Sequence, residues 1–201
     1  EAYEAFERLA DAPDPWLSLH AQALLARALV EQERLDEAES VLGPLAAREA
    51  QLIDKTFLEP EVDFLLAYAQ LSNLHYDEAM ESLQQFAYQH PDAPDRLRLP
   101  AQQMLAELKA RRPEGLGDVS DLMVYSSRRL ANGEPGRQVQ IKQEEAVDLL
   151  TRLIAQAEQR EQQQKGGGKG CKSCQGKGCD KCPGGNPNGA WQPKAPADKS
   201  A

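Results

Sequence analysis

The sequence predicts an all-α protein built from stacked pairs of antiparallel helices, and three observations support this prediction. Apolar residues recur at helical spacing through residues 1–165, and no convincing alternating pattern of a β-strand is present. Aromatic residues make up only 5% of the chain, so a core would consist mainly of leucine and alanine, as in stacked helices. The helical pattern also repeats along the chain.

Residues 1–112 contain six predicted helices, and several of their ends are marked by proline. Pro13 and Pro15 end the first helix, and Pro60 suits the first turn of the fourth. The pair Gly43-Pro44 predicts a kink or a restart in the third helix, and Asp95 could cap the sixth. The apolar faces of the six helices are Ala2, Ala5, Phe6 and Leu9; Leu17, Ala21, Leu24, Leu25, Ala28 and Leu29; Ala38, Val41, Leu42 and Leu45; Val62, Leu65, Leu66 and Ala69; Ala79, Leu83, Phe86 and Ala87; and Ala101, Met104, Leu105 and Leu108.

Residues 113–165 predict a helical hairpin. Asp118 or Ser120 could cap its first helix, and the glycine-containing run 131–136 is a strong stop. The last helix begins near Val139 and continues through Gln164, a span of about 39 Å. We expect it to pack as a long cap on the preceding helices. The alternative is a coiled-coil seam with a second copy of the chain, which would make the protein a homo-oligomer.

Two stretches of the helical region match one another at an offset of 41 residues. Leu25-Ala26 aligns with Leu66-Ala67, and the run 34–38 aligns with the run 75–79, each run ending in Asp-Glu-Ala. These positions resemble the tetratricopeptide repeat, a helix–turn–helix unit with small residues where its two helices touch. The resemblance covers residues 1–112 and is to tetratricopeptide proteins of bacterial type. Pro91 matches the proline that closes the repeat in the second unit. Because that family's period is 34 residues, about seven extra residues are expected between Arg48 and Pro60.

The resemblance implies a stack of helix pairs whose first and last repeats are incomplete. Each pair would expose an apolar stripe that only its neighbours can cover, and the stack would leave a surface that holds peptides or partner helices. The expected function is therefore that of a non-enzymatic scaffold or adaptor with a protein or peptide partner. The packing alanines at 26, 38, 67 and 79 are interpreted as structural residues and not as ligand contacts.

Residues 166–201 differ sharply in composition from the rest of the chain. They carry 6 Lys against 2 Asp, whereas residues 1–165 carry 17 Lys+Arg against 30 Asp+Glu. They also contain 9 of the 14 glycines and no Leu, Ile, Val, Phe or Met. Such a segment cannot bury enough apolar surface to offset its ordering entropy, so the sequence predicts a disordered Gly/Lys/Cys-rich tail.

All four cysteines lie in this tail, in two adjacent CxxC units. The first unit resembles the CxxCxGxG repeat of DnaJ-type co-chaperones, and the second departs from it only at Asn186, where that repeat has glycine. The resemblance implies a single zinc site, since paired CxxC loops direct four thiolates at one tetrahedral ion. Two alternatives for the four cysteines remain open: they form disulfides or act as redox thiols, or they have no defined role. An alternative function is thus a zinc-binding or redox-active module that acts through Cys171, Cys174, Cys179 and Cys182.

Charge and hydropathy exclude several classes of function. A net charge of −9 argues against nucleic-acid or anionic-membrane binding as the main role, and no run of apolar residues is long enough to span a membrane. His20, His75 and His90 lie in the repeat region, and His75 and His90 are expected at surface or packing positions. No phosphate-binding loop follows a strand either, so an enzyme is not expected. Since the chain begins without Met, an export signal or anchor could be missing, and the bacterial cytoplasm and cell envelope both remain open.

Overall fold

Eight helices make up most of the part of the chain that the structure, a computed structural model, describes, namely residues 2–47 and 57–166. No strand occurs among these residues, and the all-α prediction is confirmed. None of the described helices is both long and apolar enough to cross a membrane. The helices are α1 (Ala2–Ala10), α2 (Pro15–Glu31), α3 (Leu35–Ala47), α4 (Glu59–Ser72), α5 (Tyr76–Gln89), α6 (Asp95–Ala110), α7 (Leu116–Ala131) and α8 (Arg137–Gly166).

The two predicted repeats correspond to the helix pairs α2–α3 and α4–α5. Each helix from α1 to α6 packs against the next along the chain, as expected for a stack of pairs. The four alanines at positions 26, 38, 67 and 79 are all fully buried, at 0% exposure. Their small side chains let paired helices approach closely, which confirms the packing role predicted for them.

The turns of the two pairs are also equivalent in backbone conformation. Glu33 and Leu74, which are 41 residues apart, both adopt left-handed backbone, with φ of 59° and 67°. In each turn the following N–H reaches back five residues, from Arg34 to the carbonyl of Leu29 and from His75 to that of Gln70, both at 2.9 Å. This pattern is the Schellman end of a helix. The repeat is therefore present in the backbone as well as in the sequence.

Several predicted helix boundaries need correction. Asp95 is the first residue of α6, and the capping position is Pro94. Helix α3 continues through Pro44 to Ala47 and does not restart, since the burial of Leu42 and Leu45 offsets the hydrogen bond that the proline removes.

The helices of the predicted hairpin also begin earlier than expected. α7 begins at Leu116, so that neither Asp118 nor Ser120 is its cap, and α8 begins at Arg137. The turn between them contains Gly133 in left-handed backbone, with φ of 74°, which agrees with the predicted stop.

Contacts divide the chain into two units, Glu1–Leu153 and Ile154–Ala201. The first unit contains two buried clusters, one centred on α2 and α3 and the other on α4, α5 and α6. Within it, Val139 and Ala146 of α8 are buried, as expected for a packed helix, whereas Val147 is exposed. The described part of the second unit, residues 154–166, is helical. The domain boundaries drawn from the sequence after residues 112 and 165 stay predictions.

Candidate functional site

The first unit contains a cavity of about 650 Å³ between α4, α6 and α7, here called the α4–α6–α7 cavity. Helix α4 comes first in its helix pair, and residues of α7 from Leu116 to Arg128 contribute to the lining of the cavity. The helical spacing that buries one face of α4 and α6 turns a second face toward this space. Its apolar wall is formed by Leu71, Leu74, Met104, Leu108, Leu116 and Val124.

One side of the α4–α6–α7 cavity is a connected polar group. The hydroxyl of Tyr76 donates to Oδ2 of Asp121 at 2.9 Å, and the guanidinium of Arg111 lies over the Tyr76 ring, 3.6 Å from its centroid. Arg111 also pairs with Asp118 at 2.9 Å. Burial, and after it the neighbouring Asp121, raises the pKa of Tyr76 well above its ordinary value. The hydroxyl therefore stays protonated at neutral pH and acts as a hydrogen-bond donor.

Arg128 is a buried cation in the lining of the α4–α6–α7 cavity. Its Nη2 donates to the carbonyl of Ser72 and to Oδ1 of Asn73, both at 2.9 Å, while its Nε has no hydrogen-bond partner. The residue is only 9% exposed, and burial lowers its pKa from the ordinary value of an arginine. An arginine nevertheless remains charged at neutral pH. The cavity thus contains a positive charge whose direct hydrogen-bond partners are neutral.

Asn73 connects Arg128 to the first repeat. The side-chain amide of Asn73, which is buried, donates to Oε2 of Glu39 at 2.8 Å, and Nδ1 of His75 donates to Oε1 of the same carboxylate at 3.0 Å. Glu39 lies on α3 and both of its partners lie in the turn between α4 and α5. This network fixes the position of the Arg128 side chain relative to both helix pairs.

Two further contacts hold α7 and its C-terminal turn against the first repeat. The side-chain amide of Asn132 donates to the backbone carbonyl of Glu33 at 3.0 Å, and Arg129 pairs with Asp36 at the start of α3. Arg128 and Arg129 therefore serve contacts within the chain. In the sequence these two arginines gather around one turn with Arg137 and Lys142, a pattern that predicts a solvated face or a contact with an acidic partner. That interpretation is wrong for Arg128, because it is buried.

A second polar cluster lies at the start of α4. Nε2 of His90 donates to Oδ2 of Asp63 at 2.7 Å, and both side chains are buried. Burial raises the pKa of the Asp63 carboxyl above its ordinary value, whereas the hydrogen bond and charge of His90 oppose that change. The ring of Phe86 lies 5.4 Å from that of His90. Glu59 completes the group, and one ligand atom from each of the three residues lies within 4.8 Å of the others.

The metal site predicted from the sequence lies outside the described residues. Cys171, Cys174, Cys179 and Cys182 all follow residue 166, so the expectation that they bind one zinc ion stays a prediction. The two polar features that the structure shows were missed by the sequence analysis. The sequence did contain one signal for the Asp63–His90 cluster. Asp63 lies four positions before the buried Ala67, so this acidic residue stands on the buried face of α4.

No family model matches the sequence, and no curated protein matches it either. Among solved structures, the chain is similar to a variant of nearly identical TPR-like repeats from a Podospora anserina protein described as a kinesin light chain. The two share 22% sequence identity with a TM-score of 0.42, over 80% of this chain and 85% of the other.

Proposed function

We propose that this chain is a non-enzymatic interaction scaffold that binds a segment of a partner protein in the α4–α6–α7 cavity. The observation that carries the proposal is the combination of an apolar wall with the buried guanidinium of Arg128. Ligand sites in proteins are typically concave and mostly apolar, with a few fixed polar groups that set orientation. A volume of about 650 Å³ is large enough for two or three side chains of a peptide.

The chemistry of the lining indicates what the partner segment should contain. Leucine and methionine side chains on α4 and α6 favour large apolar side chains, because burying each contributes about 1.5–3 kcal/mol. The guanidinium of Arg128, whose direct hydrogen-bond partners are neutral, favours a carbonyl or carboxylate oxygen beside these apolar groups, since a charged donor makes stronger hydrogen bonds than a neutral one. We therefore infer an apolar peptide segment that carries a hydrogen-bond acceptor group.

The electrostatics of the same cavity support binding over catalysis. A general acid or base works best when its pKa lies near the working pH. The pKa of Tyr76 is raised away from neutrality, and an arginine stays charged at neutral pH even where burial lowers its pKa, as it does for Arg128. Their protons stay in place, which suits recognition of a partner.

A charged residue at Val124 is expected to abolish this binding. Peptides are first selected from a random library on the immobilised full chain, and their affinity is then measured for Val124→Arg and for Val147→Arg. Both valines are 62% exposed on helices, but only Val124 lines the cavity. The Val124 variant should lose at least about tenfold in affinity, since one blocked apolar contact is worth about 1.4 kcal/mol or more. Equal losses in the two variants, or no selected peptide, would contradict the proposal.

The paired CxxC units favour a second candidate function, zinc binding by the tail. Zinc needs deprotonated thiolates, and lysines between the cysteines would offset the charge of a four-thiolate centre. Titration of the reduced chain with cobalt(II) should give the intense visible absorption of tetrahedral thiolate coordination, and a chain with serine at the four cysteine positions should not. A flat spectrum with all four thiols reactive would exclude this site.

A further inference from the structure

We propose that Glu59, Asp63 and His90 form a binding site for one divalent transition-metal ion, with zinc as the favoured ion. The site is independent of the proposed partner cavity and of the cysteine tail. Two carboxylates and one imidazole are nitrogen and oxygen ligands of the kind that zinc accepts, and three protein ligands leave a fourth position open.

The positions of the three residues follow from the fold. Glu59 is the first residue of α4 and Asp63 lies four positions later, so both carboxylates stand on one face of the helix. His90 follows α5, the other helix of the same pair, and its backbone is held on both sides, with its N–H donating to Phe86 and its carbonyl accepting from Ala93. The packing of α5 against α4 brings the imidazole to the carboxylates.

The distances are close to those of a metal site. Ligand atoms around a tetrahedral zinc with bonds of about 2.0–2.1 Å lie about 3.3 Å apart. Here Nε2 of His90 and Oδ2 of Asp63 are 2.7 Å apart, joined by a hydrogen bond whose proton is released to solvent when the ion binds, and all three ligand atoms lie within 4.8 Å of one another. An ion would require the ligand atoms to move by about 1–1.5 Å to reach these distances.

The charge balance around Asp63 also favours a cation. Asp63 is nine-tenths buried, and within the described residues no arginine or lysine pairs with it. Arg27 and Arg96, the cations that reach this part of α4, both pair with Glu61 instead, at 3.3 and 3.5 Å. A buried carboxylate is stabilised by a paired charge, by hydrogen bonds or by a metal ion, and the partner of Asp63 in this structure is His90. A divalent ion between Asp63 and Glu59 would supply that charge more completely than an imidazole.

The test uses the full chain with serine in place of the four cysteines, which removes the tail thiols as competing ligands. Zinc binding is measured by calorimetry, and thermal unfolding is followed with and without zinc. We expect one zinc ion per chain and a higher melting temperature with zinc, because an ion that binds only the folded state stabilises it. The replaced positions are Cys171, Cys174, Cys179 and Cys182.

Matched variants on α4 separate this site from adventitious binding. Glu59→Gln should lower the zinc affinity at least tenfold and remove the zinc-dependent rise in melting temperature. Glu61→Gln, which removes a carboxylate on the same turn that pairs with arginines, should leave both unchanged. Asp63→Asn should behave like Glu59→Gln. A dissociation constant weaker than about 1 mM in the thiol-free chain, or equal affinities in the Glu59 and Glu61 variants, would overturn the proposal.

Discussion

Replacing Phe86 with alanine is expected to lower the free energy of unfolding by about 3–5 kcal/mol. Phe86 is 1% exposed and belongs to the buried cluster that joins α4, α5 and α6. Its ring lies 6.1 Å from that of Phe64 and 5.4 Å from that of His90. Alanine at this position would leave a cavity that neighbouring helices can fill only in part. Urea unfolding followed by circular dichroism at the helical band measures the change.

Tyr88 provides the matched control for this experiment. It is an aromatic residue on the same helix, two positions later, and is 88% exposed. Tyr88→Ala removes a side chain of similar volume to that of Phe86, but one that is exposed to solvent. The free energy of unfolding should therefore change by no more than about 0.5 kcal/mol. Similar losses in the Phe86 and Tyr88 variants would mean that α5 does not pack with the face described here.

Enlarging Ala79 to leucine is expected to destabilise the chain by about 1–3 kcal/mol. Ala79 is fully buried where α5 meets α4, and three added carbon atoms there must push the paired helices apart or force strained side-chain rotamers. Ala38 occupies the equivalent position of the first pair and is equally buried, so Ala38→Leu should have an effect of the same size. Thermal melts of the two variants test the repeat directly.

Ala87→Leu is the control for overpacking, since Ala87 is an exposed residue of the same helix α5. Leucine and alanine are both strong helix formers, and this variant should melt within a few degrees of the wild type. If the Ala79→Leu and Ala87→Leu variants had the same melting temperature, the paired helices would not be in close contact at Ala79.

The repeated helix pairs could be predicted from the sequence because their stabilising contacts are local and periodic. Small residues at Ala26 and Ala67, and again at Ala38 and Ala79, mark helix contacts at a constant offset. The structure confirms their burial. The sequence could not decide between a kink and a restart of α3 at Pro44, because the energy that offsets the lost hydrogen bond comes from the tertiary packing of its neighbours.

The candidate sites depend on contacts between distant segments, and the sequence could not show them. Arg128 reaches Ser72 and Asn73, more than fifty positions earlier, and resembled an ordinary surface arginine beside Arg129. His90 meets Asp63 across 27 positions. Polar side chains have no periodic pattern that identifies such partners, so their pairing emerges only when the helix packing is known.

Photo-crosslinking of a selected peptide tests directly whether the partner segment binds in the α4–α6–α7 cavity. A photoreactive amino acid is placed either at Leu116, which lines the cavity, or at Leu99 on α6, which does not; both side chains are exposed. We expect a covalent peptide adduct at position 116 and none at position 99. Equal yields at the two positions, or an adduct at position 99 alone, would contradict binding in this cavity.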